Sequence, residues 1–119
     1  MEEIILTKEA SNLLRTIYAE YKKRVKRGAS REDASNFDSS KAIHEKLAAS
    51  QPFADIDSLC AELRSAGLLC GIRADGYEYH VSLSVKGISY CQSAFPRAAS
   101  KVFDRLLKWI QAIVPLRPW

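Results

Sequence analysis

The sequence predicts an α+β fold, mostly helical, organised around a helix-turn-helix and a two-stranded hairpin. Two observations predict the helix pair. Ile43 and Leu47, then Ile56, Leu59, Cys60, Leu63 and Ala66, recur at spacings of three and four, and Ser50-Gln51-Pro52 stands between the two sets. The residue before proline is pushed out of the helical region, so the first of these helices ends there. A third observation predicts the hairpin: beyond Gly67 come LLCGIR and YEYHVSL, joined by Ala74-Asp75-Gly76. Asp-Gly favours a tight turn because glycine tolerates positive φ.

A chain of 119 residues, 47% apolar and 27% charged, can bury one core without staples. Residues 1–95 are expected to form that domain, and residues 96–119 an attached amphipathic helix with an irregular tail. No window reaches about 18 apolar residues, so no membrane-spanning helix is predicted. The N-terminal MEEIILTKEA is acidic with a short apolar run, unlike a secretory signal, and a cytoplasmic location is expected. Cys60, Cys70 and Cys91 are odd in number and match no zinc or redox spacing. They read as buried thiols in a reducing compartment. Net charge is +4, unevenly spread: residues 1–30 carry +3, residues 31–60 carry −3, residues 61–96 balance, and residues 97–119 carry +4. The positive charge therefore sits at the two ends.

Thr7 is the expected N-cap of the first helix, with Glu9 near the positive end of its dipole. Ala10, Leu13, Leu14, Ile17, Tyr18, Tyr21 and Val25 form one apolar face. Gly28 suits the position just past the C-terminus. The basic run Lys22, Lys23, Arg24, Lys26 and Arg27 before it fits either a phosphate-binding patch or cations complementing the helix end. Gly28–Asn36 is polar without an apolar period, and reads as a loop or a weak helical turn. Asp38 or Ser39 caps the second helix, which runs to about Ala49. Asp55 caps the third, and Gly67 closes it. The outward face of the third helix is predicted to be Ser58, Ala61 and Ser65, flanked by Asp57 and Glu62, with Arg64 nearer the side. In the second strand Tyr77, Tyr79, Val81 and Leu83 alternate with Glu78, His80 and Ser82, which predicts that the first set points inward. Ser84 caps a short helix through Ile88 and Cys91, broken at Phe95-Pro96. A last helix runs from about Arg97 to Val114, apolar over more of its girth than one contact face needs.

Two stretches carry a resemblance. Leu63-Arg64-Ser65-Ala66-Gly67-Leu68-Leu69 is similar to a Leu-Xaa-Xaa-Glu-Gly-Leu-Ile helix ending. Leu83-Ser84-Val85-Lys86-Gly87-Ile88-Ser89-Tyr90 is similar to Leu-Thr-Xaa-Lys-Gly-Xaa-Xaa-Tyr. With the order of elements, they make residues 5–95 resemble winged helix-turn-helix proteins, both transcription regulators and small phage-borne members. The resemblance implies DNA binding, with the third helix in the major groove and the hairpin, the wing, on the backbone. Carried over by position, the groove-facing residues are Asp57, Ser58, Ala61, Glu62 and Ser65. None is Arg or Lys, and two are acidic, so backbone contacts fall to Lys41, Lys46, Arg64 and Arg73.

Other chemistry is sparse. His44 and His80 have no convergent ligand partners by spacing, and Asp55-Ile56-Asp57 reads as helix-start chemistry. No phosphate-binding glycine loop or nucleophile elbow appears. No enzyme activity, metal or cofactor is expected. The C-terminal helix is open to three roles: packing on the first helix, forming a homodimer interface, or lying on a membrane surface through Arg97, Lys101, Arg105, Lys108, Trp109 and Trp119. The leading expectation is a dimeric DNA-binding transcription regulator of bacterial or phage origin. The alternative is a winged-helix protein-interaction module that leaves DNA alone. A third is a regulator with a small-molecule pocket lined by Tyr18, Tyr21, Phe103 and Trp109.

Overall fold

Local signals set the start of each helix. In a computed structural model describing residues 4–95, Thr7 Oγ1 accepts from Ala10 N at 3.2 Å and opens α1, Lys8–Lys26. Ser30 caps a short α2, Arg31–Ser35, and β1, Asn36–Ser39, follows at once. Ser39 caps α3, Ser40–Leu47, by accepting from Ala42 N. Next come α4, Phe53–Ser65, β2, Leu69–Ala74, β3, Tyr77–Leu83, and α5, Val85–Ala94. The expected helix at 97–114 lies outside the described residues, as do its three possible roles and the pocket residues Phe103 and Trp109.

The result is an α+β fold with a small antiparallel sheet in the order β1-β3-β2. The predicted apolar faces meet in one core. Leu14 and Ile17 of α1 pack with Ile43 of α3, Ile56 and Leu63 of α4, Val81 of β3 and Cys91 of α5, all nearly solvent-free. Among the described residues, no helix is long and apolar enough to cross a membrane.

Both resemblance motifs turn out to be joints of backbone. At the end of α4, Leu68 N donates to Leu63 O at 3.0 Å and Gly67 N to Arg64 O at 2.9 Å, with Gly67 at φ 82°. This is the Schellman ending, and the buried pair Leu63 and Leu68 supplies its hydrophobic contact. Ser84 then ties α5 to the same place. Its Oγ donates to Gly67 O at 2.7 Å and accepts from Gly87 N at 2.8 Å. A Cβ on Gly87 would overlap the Leu68 carbonyl oxygen, so the close approach requires glycine.

Four expectations need correction. Residues 36–39 form a third strand; Asn36-Phe37-Asp38-Ser39 is too short and irregular to show a period of two. Tertiary contacts hold it: Phe37 is buried, and Arg24 lies over its ring and donates to Asn36 O at 2.7 Å. Second, α4 starts at Phe53 behind Pro52 rather than behind Asp55, which instead lies in its first turn. Third, β3 is inverted near the turn. His80, at φ 53°, is an extra residue in both ladders: Tyr79 pairs with Ile72 and Ser39, whereas Val81 pairs with Asp38 and Ser82 with Cys70. One extra residue shifts the alternation, so Glu78 is buried at 1% exposure while Tyr77 and Tyr79 are only half-buried. Fourth, Cys70 is exposed on the outer strand β2, whereas Cys60 and Cys91 are buried. Burial pushes these two thiols up to about 12.

Candidate nucleic-acid interface

Helix α4 is the element on which the DNA-binding expectation rests. Its sequence places Ile56, Cys60 and Leu63 in the core. The opposite row holds Ala54, Ser58, Ala61 and Ser65, of which Ala54, Ser58 and Ser65 are exposed. These are small and uncharged, and exposed Asp55 lies on the row's edge.

The two acidic residues expected to face the groove are engaged inside the molecule. Asp57, 6% exposed, lies on the flank of α4 that meets the hairpin. Its Oδ1 accepts from Ser40 Oγ at 2.7 Å and from Glu78 N at 3.1 Å, and its Oδ2 from Arg73 Nη2 at 2.9 Å. Burial alone would raise its carboxyl. The hydrogen bonds from Ser40, Arg73 and the Glu78 backbone, with the Arg73 charge, outweigh that and hold it below the usual aspartate value. Glu62 reaches the other way and accepts from Thr7 N at 2.8 Å and Thr7 Oγ1 at 2.9 Å, tying α4 to the start of α1.

Of the basic candidates, the structure brings two together. Arg64 Nε donates to Glu78 Oε1, and Arg73 Nη1 to Glu78 Oε2 at 2.8 Å. Arg73 also donates to Asp57 and to Gly76 O in the turn. Hydrogen bonds to Glu78 and then Asp57 raise the guanidinium further above its ordinary value. Asp57, Glu78, Arg64, Arg73 and Ser40 thus form one cluster that pins the hairpin to α3 and α4. Lys41 and Lys46 are exposed on α3 and belong to no such cluster. Five residues apart, they point about 140° from each other around the helix axis. Lys46 lines a shallow hollow with Arg24, Asn36 and Asp38, on the side of α3 that faces β1.

The histidines are accounted for locally. His44 Nε2 is 2.8 Å from Gln51 O, and its ring meets Phe53 edge-on. His80 is the exposed bulge residue. Among the described residues no group of three His, Cys, Asp or Glu could hold a metal ion. Tyr18 is buried and stacks on Tyr21.

Glu78 is the residue that the sequence pattern misplaced, and with it went the whole cluster. The available signal was chemical rather than periodic: Arg73 and Glu78 stand symmetrically about the Asp-Gly turn, so an antiparallel hairpin pairs them. No family model, curated protein or solved structure matches the chain.

Proposed function

We propose that the chain is a winged-helix domain that docks on another protein through the exposed row of α4. The fold part of this reading is supported by the order α1, β1, α3, α4, β2, β3 and by the pairing of β1 with β3. With α2 as an insertion, that is how a winged helix builds its hairpin against the helix pair. The functional part rests on one observation: Arg64 of α4 and Arg73 of the adjoining β2 are held by Glu78 and Asp57. The exposed row itself carries no cation. Phosphate contacts by Lys and Arg supply most nucleic-acid affinity, and a duplex laid on this row would meet Asp55 first. A protein partner with small side chains at its centre and basic groups at its rim fits the same surface.

Electrophoretic mobility shift on random duplex DNA, at low and moderate salt, tests the exclusion. Micromolar protein should leave the duplex unshifted. For the positive arm, a partner captured by the full chain should be lost with Asp55→Lys and Ser58→Arg, and both variants should keep wild-type circular dichroism. A partner that binds both variants as well as wild type removes α4 from the interface.

A second reading, duplex DNA binding by a transcription regulator, is favoured by one feature. Lys41 lies in the first turn of α3, beside the backbone N–H groups of a helix start, where a phosphate is well received. Retardation of duplex at moderate salt, lost with Lys41→Ala, would put this reading first.

A further inference from the structure

The cations of α4 and α1 are used differently. At α4, Arg64 and the neighbouring Arg73 turn inward to Glu78 and Asp57. On α1 the cations stay at the surface. Lys8, Arg15, Lys22, Lys23 and Lys26 are all exposed, and so are Asn12 and Ala19 between them. At 3.6 residues per turn these positions fall within about 100° of arc, in a row about 27 Å long. The acids of α1, Glu9 and Glu20, lie outside that arc, and Glu20 pairs with Lys23 and Arg24. Ring contacts hold two cations of the row: Arg15 Cζ is 4.8 Å from the Phe95 centroid, and Lys22 Nζ is 5.5 Å from that of Tyr18. Two exposed aliphatic side chains bracket the row. Ile5, 82% exposed, stands three residues before Lys8, and Val25, 43% exposed, stands next to Lys26 in sequence.

We infer that this face of α1 lies on an anionic lipid surface. The inference goes beyond the α4 reading and does not depend on it. Opposite charge brings helix and leaflet together, with about fivefold in affinity for each cation that reaches the headgroups. The shape of the row selects a leaflet among polyanions. From Lys8 through Arg15 and Lys22 to Lys26, the steps along the helix axis are about 10.5, 10.5 and 6 Å. A folded acidic protein would need carboxylates at those unequal intervals. A duplex carries its phosphates on two winding strands and meets a straight row over only part of its length. A leaflet is flat and fluid, so anionic headgroups move to each cation. The aliphatic ends make a second match. Ile5 and Val25 fit the boundary between headgroups and acyl chains, whereas a contact made of phosphates alone gives them no partner.

The test is co-sedimentation of the full chain with phosphatidylcholine vesicles, with and without phosphatidylglycerol, at low and moderate salt. Wild type should sediment with the anionic vesicles alone, and less at moderate salt. Arg15→Glu with Lys22→Glu should weaken binding more than about tenfold. Lys8→Glu with Lys23→Glu leaves both ring contacts in place and should weaken it as much. Lys41→Glu with Lys86→Glu makes the same change of net charge at exposed sites off α1, and should weaken binding far less. Ile5→Ser with Val25→Ser should weaken it severalfold. Every variant should keep wild-type circular dichroism. Four results would each overturn the inference: no sedimentation with anionic vesicles, binding that survives both α1 charge pairs, equal loss with the Lys41 and Lys86 pair, or unchanged binding with the two serines. Survival in both α1 pairs would move the lipid contact elsewhere, with residues 97–119 the first place to look. Duplex DNA retarded by wild type and not by the α1 pairs, with no vesicle binding, would assign the row to nucleic acid instead.

Discussion

Two joints hold the hairpin and α5 to α4, and they are made of different material. At the C-terminal end of α4 the joint is backbone: Gly67 O, Leu68 O, the Ser84 hydroxyl and the space left by Gly87. Along its flank the joint is charge: Asp57, Arg64, Arg73 and Glu78, with Ser40 completing the hydrogen bonds. The first tolerates no added atom and is indifferent to acid. The second tolerates changes of shape but not loss of charge balance. The charge in this part of the domain therefore holds elements together.

The largest effect should come from the backbone joint. Gly87→Ala drives a methyl into the Leu68 carbonyl, which is main chain and cannot rotate away. A loss of about 3 kcal/mol or more is expected in urea unfolding. A loss under about 1 kcal/mol would mean that α5 can lift off at little cost, and the contrast between the joints would shrink.

Next is Glu78→Ala. It strips both arginines of their carboxylate and leaves Asp57 as the one remaining anion in the cluster. Removing one partner of a buried pair costs about 3–5 kcal/mol. Arg64 and Arg73 keep 34% and 46% side-chain exposure and can turn to water, so about 2–4 kcal/mol is expected here. Ser40→Ala, in the same cluster, removes one buried donor from Asp57 and should cost about 1 kcal/mol.

Acid separates the joints without mutation. The folded carboxyl of Asp57 lies below its unfolded value, so its stabilisation is complete above about pH 4 and is lost as pH falls through the folded value. Unfolding free energy measured against pH should drop in that window for wild type and drop less for Asp57→Asn. Equal slopes would show that Asp57 contributes nothing through its charge.

The two halves of the backbone joint, the α4 ending and the Ser84 cap, were legible in the sequence because their causes are local. Leu63 to Leu69 and Leu83 to Tyr90 name the helix ending, the cap and the glycine in order, whereas the contacts of Ser84 with Gly67 and of Gly87 with Leu68 run between the two stretches and have no local signal. The faces of α1 and α4 were legible for the same reason, except at Val25, which is exposed, and Asp57, which is buried. The charge joint was not. It depends on His80 leaving both ladders, and a histidine with positive φ has no signature in a period count. Strict alternation put Glu78 in solvent, and helical position with the winged-helix resemblance put Asp57 in the groove-facing set, so four paired side chains were counted as available. β1 was hidden in a similar way, since Phe37 is held by Arg24 from α1 and not by its own neighbours.

The smallest effect on stability should come from the face of α4 that neither joint uses. Ser58→Arg with Ser65→Arg places two cations on an exposed row, and unfolding free energy should stay within about 0.5 kcal/mol of wild type. The consequence for nucleic acid is larger. If missing cations are what keep duplex DNA away, the double variant should retard random duplex at low salt where wild type does not. Two new phosphate contacts give a salt slope steeper by about 1.8 in log K against log salt. A double variant that still ignores DNA would mean that the shape of the α4 face, or Asp55 beside it, excludes the duplex even when charge is supplied. A wild type that already binds as tightly as the variant would mean that cations away from α4 are sufficient, and the protein-docking reading of this face would give way to the DNA reading.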